Sequence, residues 1–237
     1  MSGNLYCGLM EYSDMSFVLH VLRETDEFYD IGANVGSYTI LASGANKCKT
    51  ICFEPIPSTF VKLKNNINLN NINYLVDARN VGLGDKNKKI QFTNNLGTQN
   101  RVNIDSKNNI SYVDTITLDN NFTPSCSSIV KIDVEGYENN ILQGGRNFFL
   151  NPNVISLIVE LNGSGRLYNI EDEDIHKLIL SFGFFPINYE PSTRKLKLLN
   201  SYNKNGNTIY VKNIDQIQQR CLKSKSFCIH TLDKLII

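Results

Sequence analysis

Six cysteines are present, yet no two of them stand at C-x-x-C spacing. A zinc ribbon and a thioredoxin-type redox motif are thereby excluded. Scattered thiols such as Cys52, which lies inside an apolar run, read as small buried hydrophobes in a reducing compartment. No apolar run approaches the ~18 residues of a membrane span. The opening stretch MSGNLYCGLMEYSD lacks the layout of a signal peptide, so a cytoplasmic protein is expected. Charge of one sign is also missing: 24 Lys and Arg offset 23 Asp and Glu, for a net charge of +1. A dedicated nucleic-acid binder usually carries a basic stripe, and the clusters at Lys86–Lys89 and Lys223–Lys225 are too short to make one. Nucleic acid is therefore not an expected partner. The chain contains no G-x-G-x-x-G, no Tyr-x-x-x-Lys and no Asn/Asp-Pro-Pro-Tyr, which weighs against nicotinamide oxidoreductases and nucleic-acid base methyltransferases.

What is present is an alternation of strand and helix patterns. Apolar strand segments occur at EFYDI, TICFE, YLVDARN, SSIVKIDVEG and VISLIVELNG. Helical periodicity separates them: Phe17, Val18, Val21 and Leu22 share one face behind Ser13 or Asp14 as N-cap, and Phe60, Leu63 and Ile67 share another behind Pro57. The asparagine-rich run NNINLNNIN at 65–73 is interrupted by apolar residues at helical spacing, so it belongs to the second of these helices. Gly144 and Gly145 stop a helix that starts near Tyr137, and EDEDIHKLILSFG is a helix with acids in its first turn. FFPINYE, KLKLL and NTIYVKN follow as strands with no helix between them. The order predicts an α/β fold: a Rossmann-like, mostly parallel sheet with helices on both faces and an antiparallel C-terminal edge. At 237 residues the chain suits one domain. It divides into a helical lead-in (1–26), a core (27–215) and a tail (216–237). The stretch from Lys89 to Thr117 is expected to be an excursion, a small hairpin carrying substrate contacts.

In such a sheet ligands sit at the carboxyl ends of the strands. Acids recur at that edge: Asp30, Glu54, Asp85, Asp133 with Glu135, and Glu160. DIGANVG, residues 30–36, places its glycines at G-x-x-x-G. The middle glycine that lets a pyrophosphate approach the backbone is missing. Glu54 stands about 20 residues on, where a ribose-binding carboxylate belongs. A ribose without a pyrophosphate points to S-adenosylmethionine. The alternative is a tight strand-to-helix turn with no ligand.

FYDIGANVGSYTILA, FEPIPSTFVKLKNNINLN, VKIDVEGYENNILQGG and LIVELNG occur in that order with short gaps. Together they resemble the FkbM family of S-adenosylmethionine-dependent methyltransferases, which mostly methylate hydroxyls on sugars and natural products. The resemblance extends upstream to Glu11 and downstream to NTIYVKN. It implies that Asp30, Gly32, Ala33, Asn34, Gly36, Ser37 and Tyr38 form the pocket for the cofactor's amino-acid end. It implies that Glu54 clamps the ribose, with Pro55 shaping the turn, and that Asn80, Val81 and Gly82 form the adenine edge. Asp133 and Glu135 match an acidic pair beside the transferred methyl, and Asp133 is also expected among the residues that contact the cofactor. Tyr137 stands where a small residue is common, which narrows the acceptor pocket.

A hydroxyl is a weak nucleophile at neutral pH, so a positioned base is required. Asp133 and Glu135 are the candidates. His176, after an acidic helix start, reads as a solvated surface residue, and His20 and His230 as structural. Asp119, Asp133, Glu135 and Glu160 could supply hard oxygen ligands to Mg²⁺ or Ca²⁺. The lack of a compact Asp/Asn ligand run disfavours a metal. The segments Leu96–Tyr112 and Gly163–Glu171 are expected to build the acceptor pocket. The alternatives are a methyltransferase acting on another small-molecule or nucleic-acid acceptor and a non-catalytic, cofactor-free binding module. The sequence is silent on oligomeric state.

Overall fold

The computed structural model describes residues 8–93, 110–204, 206–229 and 235–237. Along the chain the strands are β1 (Glu27–Ile31), β2 (Lys49–Phe53), β3 (Val76–Arg79), β4 (Gly82–Leu83), β5 (Lys88–Thr93), β6 (Ile110–Ile116), β7 (Ser128–Ile132), β8 (Val154–Glu160), β9 (Phe185–Glu190), β10 (Lys195–Leu198), β11 (Asn207–Val211), β12 (Cys228–Ile229) and β13 (Leu235–Ile236). The helices are α1 (Tyr12–Val21), α2 (Ser37–Ile40), α3 (Pro57–Leu69), α4 (Leu118–Asn121), α5 (Glu138–Gln143), α6 (Arg146–Leu150), α7 (Asp172–Ser181) and α8 (Ile214–Leu222). A wider helical turn over Leu41–Ala45 prolongs α2.

Eight strands form the central sheet in the order β10-β9-β11-β8-β7-β1-β2-β3. The run from β3 to β8 is parallel, and β11 is antiparallel to both β8 and β9. The expected antiparallel edge is present. It is more interwoven than a simple meander, because the last long strand inserts between β8 and β9. The chain order reverses between β1 and β7, which makes their carboxyl ends a topological switch point. Ile31 is in register with both Phe53 and Ile132. The next residues, Gly32, Glu54 and Asp133, therefore emerge at one level.

Alternation along the buried strands splits the core between the two sheet faces. Phe28, Ile129, Ile158 and Ile209 meet Phe17, Val18 and Val21 of α1 and Ile217 of α8 on one face. Tyr29, Ile31, Val130, Ile132, Leu157 and Val159 meet Ile141, Phe148, Phe149, Ile175 and Ile179 on the other. The lead-in helix and the tail helix thus share one hydrophobic cluster with the sheet. Cys48, Cys52 and Cys221 are buried free thiols, Cys126 is partly buried and Cys228 is exposed.

Several local expectations are revised. Glu11, not Ser13 or Asp14, is the N-cap of α1. Ser13 instead donates to the Tyr189 carbonyl, and Asp14 accepts from Asn207. Gly144 ends α5 in ordinary right-handed geometry. Its requirement is spatial, since a Cβ there would lie 2.0 Å from the Gly84 carbonyl oxygen. His176 is buried rather than solvated, with Nδ1 2.9 Å from the Tyr210 hydroxyl. The acids of the first turn of α7 mark its wet face, and His176 lies beside buried Ile175 on the other. His20 is likewise buried, paired with the Tyr189 hydroxyl, whereas His230 lies outside the described residues. β5 and β6 form the antiparallel pair expected in the excursion, and β4 completes a small three-stranded sheet with them. The connection over 94–109, which covers most of the acceptor segment expected at Leu96–Tyr112, lies outside the described residues.

Candidate functional site

At the switch point the chain leaves β1 through Gly32, whose φ of +81° favours glycine. A Cβ there would fall 1.9 Å from the Asp133 carbonyl oxygen, so only glycine lets the ends of β1 and β7 close on each other. Gly36, at φ +92°, opens α2; a Cβ there would reach 2.5 Å from Leu63 Cδ1. Asn66 of the asparagine-rich helix donates to the Val35 carbonyl at 2.8 Å and pins the same turn. At the end of β7, Glu135 takes φ +55° and Gly136 φ +104°. Buried Glu138 holds this second turn by accepting from the amides of Val134 and Gly136.

These turns border a cavity of about 340 Å³, the size of a small-ligand pocket. Of the residues expected from sequence, Asp30, Gly32, Ala33, Asn34, Ser37, Tyr38, Glu54, Pro55, Val81, Gly82, Asp133 and Glu135 line it. Gly36 and Asn80 do not: the Gly36 amide closes the turn on the Ala33 carbonyl, and Asn80 braces the β2 end through the carbonyls of Glu54 and Pro55. Ile56, Leu83, Phe92, Lys131 and Glu160 line the cavity as well; sequence reasoning gave the first four no role and Glu160 only that of an edge acid or metal ligand. Lys131 was legible in principle. A lysine two residues before Asp133 on a strand lies on the same face and can reach it.

The carboxylates fall into two groups. Asp30 is fully buried and accepts from the Thr39 amide at 2.9 Å and the Thr39 hydroxyl at 2.6 Å. Glu54 accepts from the amides of Ile56 at 2.9 Å and Asn34 at 3.1 Å. Burial dominates in both: Asp30 is raised, and Glu54 is pushed up to about 7. Asp133 behaves oppositely. Burial alone would raise it, but the Lys131 ammonium, 2.6 Å from Oδ2, holds it below the usual carboxylate range. Glu160 hydrogen-bonds Asp133, and burial together with that neighbouring charge pushes it up to about 8. The pair is thus polarised, with Asp133 favouring the carboxylate and Glu160 the protonated form. Lys131 is buried in β7 with Nζ 4.8 Å from the Tyr38 ring centre, and the Tyr38 hydroxyl donates to Glu11.

Carboxylate oxygens of Asp133, Glu135 and Glu160 lie within 4.8 Å of one another. Asp119 stands apart from them, accepting from the amides of Asn147 and Phe148 at the start of α6. Tyr137 is buried against Tyr168, with ring centres 5.6 Å apart, and it lines the cavity. The Gly163–Gly165 stretch is anchored: the Gly163 amide donates to Asp172, and Gly136 packs on Ser164, where a Cβ would meet the carbonyl oxygen at 2.5 Å. No helix among the described residues is long and apolar enough to cross a membrane.

Comparison with known proteins bears on this geometry. The chain is 26% identical over 173 residues to the hexuronic acid methyltransferase AglP of Haloferax volcanii, covering 71% of this chain and 67% of that protein. Its fold is similar to that of a candidate rRNA-methylase from Clostridium thermocellum, at TM-score 0.51 and 11% identity over 86% of this chain and 94% of the other. A Streptococcus mutans methyltransferase-like protein, SMU.1697c, gives TM-score 0.48 at 15% identity, over 84% and 96% of the two chains. The likeness to the Clostridium protein concerns the class I methyltransferase fold and specifies no acceptor. Residues 30–186, well over half of the chain, match the methyltransferase FkbM domain, and the protein belongs to that family of methyltransferases.

Proposed function

We propose that the protein is an S-adenosylmethionine-dependent O-methyltransferase acting on a hydroxyl of a sugar or related small molecule. The observation that carries this reading is the Asp133 carboxylate, held charged by Lys131 and hydrogen-bonded to Glu160, on the wall of a cavity that Glu54 also lines. The donor set suits the cofactor. Ile56, Val81, Leu83 and Phe92 offer an apolar slot for a flat base beside Glu54, whose carboxylate can accept from ribose hydroxyls. The loop of Gly32 to Asn34 and the side chains of Ser37 and Tyr38 line the region assigned to the amino-acid end. The sugar acceptor draws support from the hexuronic acid named for the Haloferax relative.

When bound, S-adenosylmethionine supplies a methyl group on a cationic sulfur that leaves as a neutral thioether. The protein's task is alignment and proton removal. Asp133 would take the proton from the acceptor hydroxyl and so make its oxygen a better nucleophile toward the methyl group. Glu160 spreads the charge through its hydrogen bond, and Lys131 fixes the carboxylate in place. Glu135, half-buried on a left-handed turn, is the second candidate for the base.

A metal-assisted reading has one observation in its favour, the proximity of Asp133, Glu135 and Glu160. Lys131 already supplies a cation to Asp133, so exhaustive chelation is expected to leave turnover unchanged. Transfer of a labelled methyl group to a sugar hydroxyl, alongside calorimetric titration with S-adenosylmethionine and with NAD, tests the reading. Binding of S-adenosylmethionine alone is expected; binding of neither would leave a non-catalytic module.

A further inference from the structure

A second cavity, about 320 Å³ in volume, adjoins the first, and Glu11 and Glu160 line both. Its walls come from the N-terminal turn of α1, from Asn188 on β9, from Asn203 in the connection before β11 and from Asn207 at the start of β11. It therefore reaches the reacting carboxylates from the antiparallel edge of the sheet, on the side away from the Glu54 end. Its lining is rich in amides and carboxylates, groups that accept from and donate to neighbouring hydroxyls. Asn207 Nδ2 fixes two of the acids in place, donating to Glu11 at 2.8 Å and to Asp14 at 3.1 Å.

Charge separates the possible occupants. Among the described residues, no lysine or arginine lines this cavity. Among the described residues, the one cation lining the first is Lys131, which is buried and already engaged with Asp133 and the Tyr38 ring. A ligand carboxylate or phosphate placed here would face the acids Glu11 and Asp14, and no unengaged cation among the described residues lining the two cavities would offset its lost hydration. An uncharged ring of hydroxyls incurs no such penalty. Taking the O-methyltransferase reading as its basis, we infer that this second cavity is the acceptor subsite and that it receives an uncharged sugar. The acceptor class thus differs from the hexuronic acid named for the Haloferax relative.

The test incubates the full chain with trideuteromethyl S-adenosylmethionine and immobilised acceptors of four kinds: neutral glycans, uronate-ended glycans, phosphate-ended glycans and RNA. Products are scored by mass. Label is expected on neutral glycans. Asn188 is exposed on the cavity wall, so Asn188→Trp fills the space without disturbing the core. That variant should lower transfer at least tenfold while its affinity for S-adenosylmethionine, read by calorimetry, stays as in the wild type. Asn188→Lys adds a cation and should shift the uronate-to-neutral ratio upward by up to about fivefold, the scale of an exposed ion pair. Label confined to uronate, phosphate or RNA acceptors, or neutral transfer undiminished in Asn188→Trp, overturns the inference. Failure of the wild type to bind S-adenosylmethionine overturns the O-methyltransferase reading itself, so the two failures are distinguishable.

Discussion

Two ends of one cavity hold their carboxylates by different means. At the β1 and β2 ends, Asp30 and Glu54 are satisfied by backbone amides and a threonine hydroxyl. At the β7 and β8 ends, Asp133 is satisfied by an ammonium and Glu160 by Asp133 itself. Amides orient a carboxylate without overcoming the cost of burying its charge, so both acids of the first group are raised. An ammonium at 2.6 Å overcomes that cost for one acid and leaves its neighbour to carry the proton. The first arrangement suits holding a polar ligand; the second suits moving a proton. In the proposed function, one sheet edge separates binding from chemistry by what satisfies each acid.

The comparison is broken most severely at Asp133. Asp133→Asn removes the charged acceptor of the proton while keeping its size, and turnover is expected to fall by about 10²–10⁴-fold, the usual weight of a general base. Steady-state rates with the labelled methyl donor read this directly. Lys131→Met comes next. It leaves Asp133 without its counter-ion and is expected to cost about 3 kcal/mol of stability, measurable by denaturant unfolding. Without the ammonium, the Asp133–Glu160 pair also binds its proton more tightly, so the acid limb of the pH–rate profile moves to higher pH.

A smaller effect lies in the pH dependence of the ligand-free fold. Glu160 is held at about 8 against an ordinary 4.5, and Glu54 and Glu138 at about 7. Between their ordinary and folded values the native chain binds more protons than the unfolded one. Stability is therefore full at low pH and is lost as pH rises through that window. His20, lowered to about 4 from 6.5 by burial, acts in the opposite sense, but only below 6.5. The melting temperature is accordingly expected to fall between pH 6.5 and 8. Glu160→Gln, which cannot titrate, should make that fall shallower.

Much of this division was legible in the sequence. The parallel core, the glycine turn at Gly32 and the acids at Glu54, Asp133 and Glu160 all follow from strand ends at a switch point, because local pattern and tertiary position agree there. Lys131 escaped notice because a lysine inside SSIVKIDVEG is masked by the apolar residues around it. Its burial is explained only by a partner two residues away and by an aromatic ring contributed by α2. His176 was misplaced for a related reason. The acids before it describe the outer face of α7, and the Tyr210 hydroxyl that receives it comes from β11, 34 residues later in the chain. Asn80 and Gly36 stand at sensible positions in their motifs, yet they shape the walls of the cavity instead of lining it. Side chains whose partners come from distant segments are the ones that local pattern does not reveal.

The division between a binding end and a reacting end is tested most directly by calorimetric titration of S-adenosylmethionine into Glu54→Gln and Asp133→Asn. Loss of one charged hydrogen-bond acceptor costs about 1.5–3 kcal/mol, so Glu54→Gln is expected to bind at least tenfold more weakly than the wild type. Asp133→Asn should bind with nearly the wild-type affinity while losing turnover. Equal weakening in both variants, or intact binding in Glu54→Gln, would contradict the division.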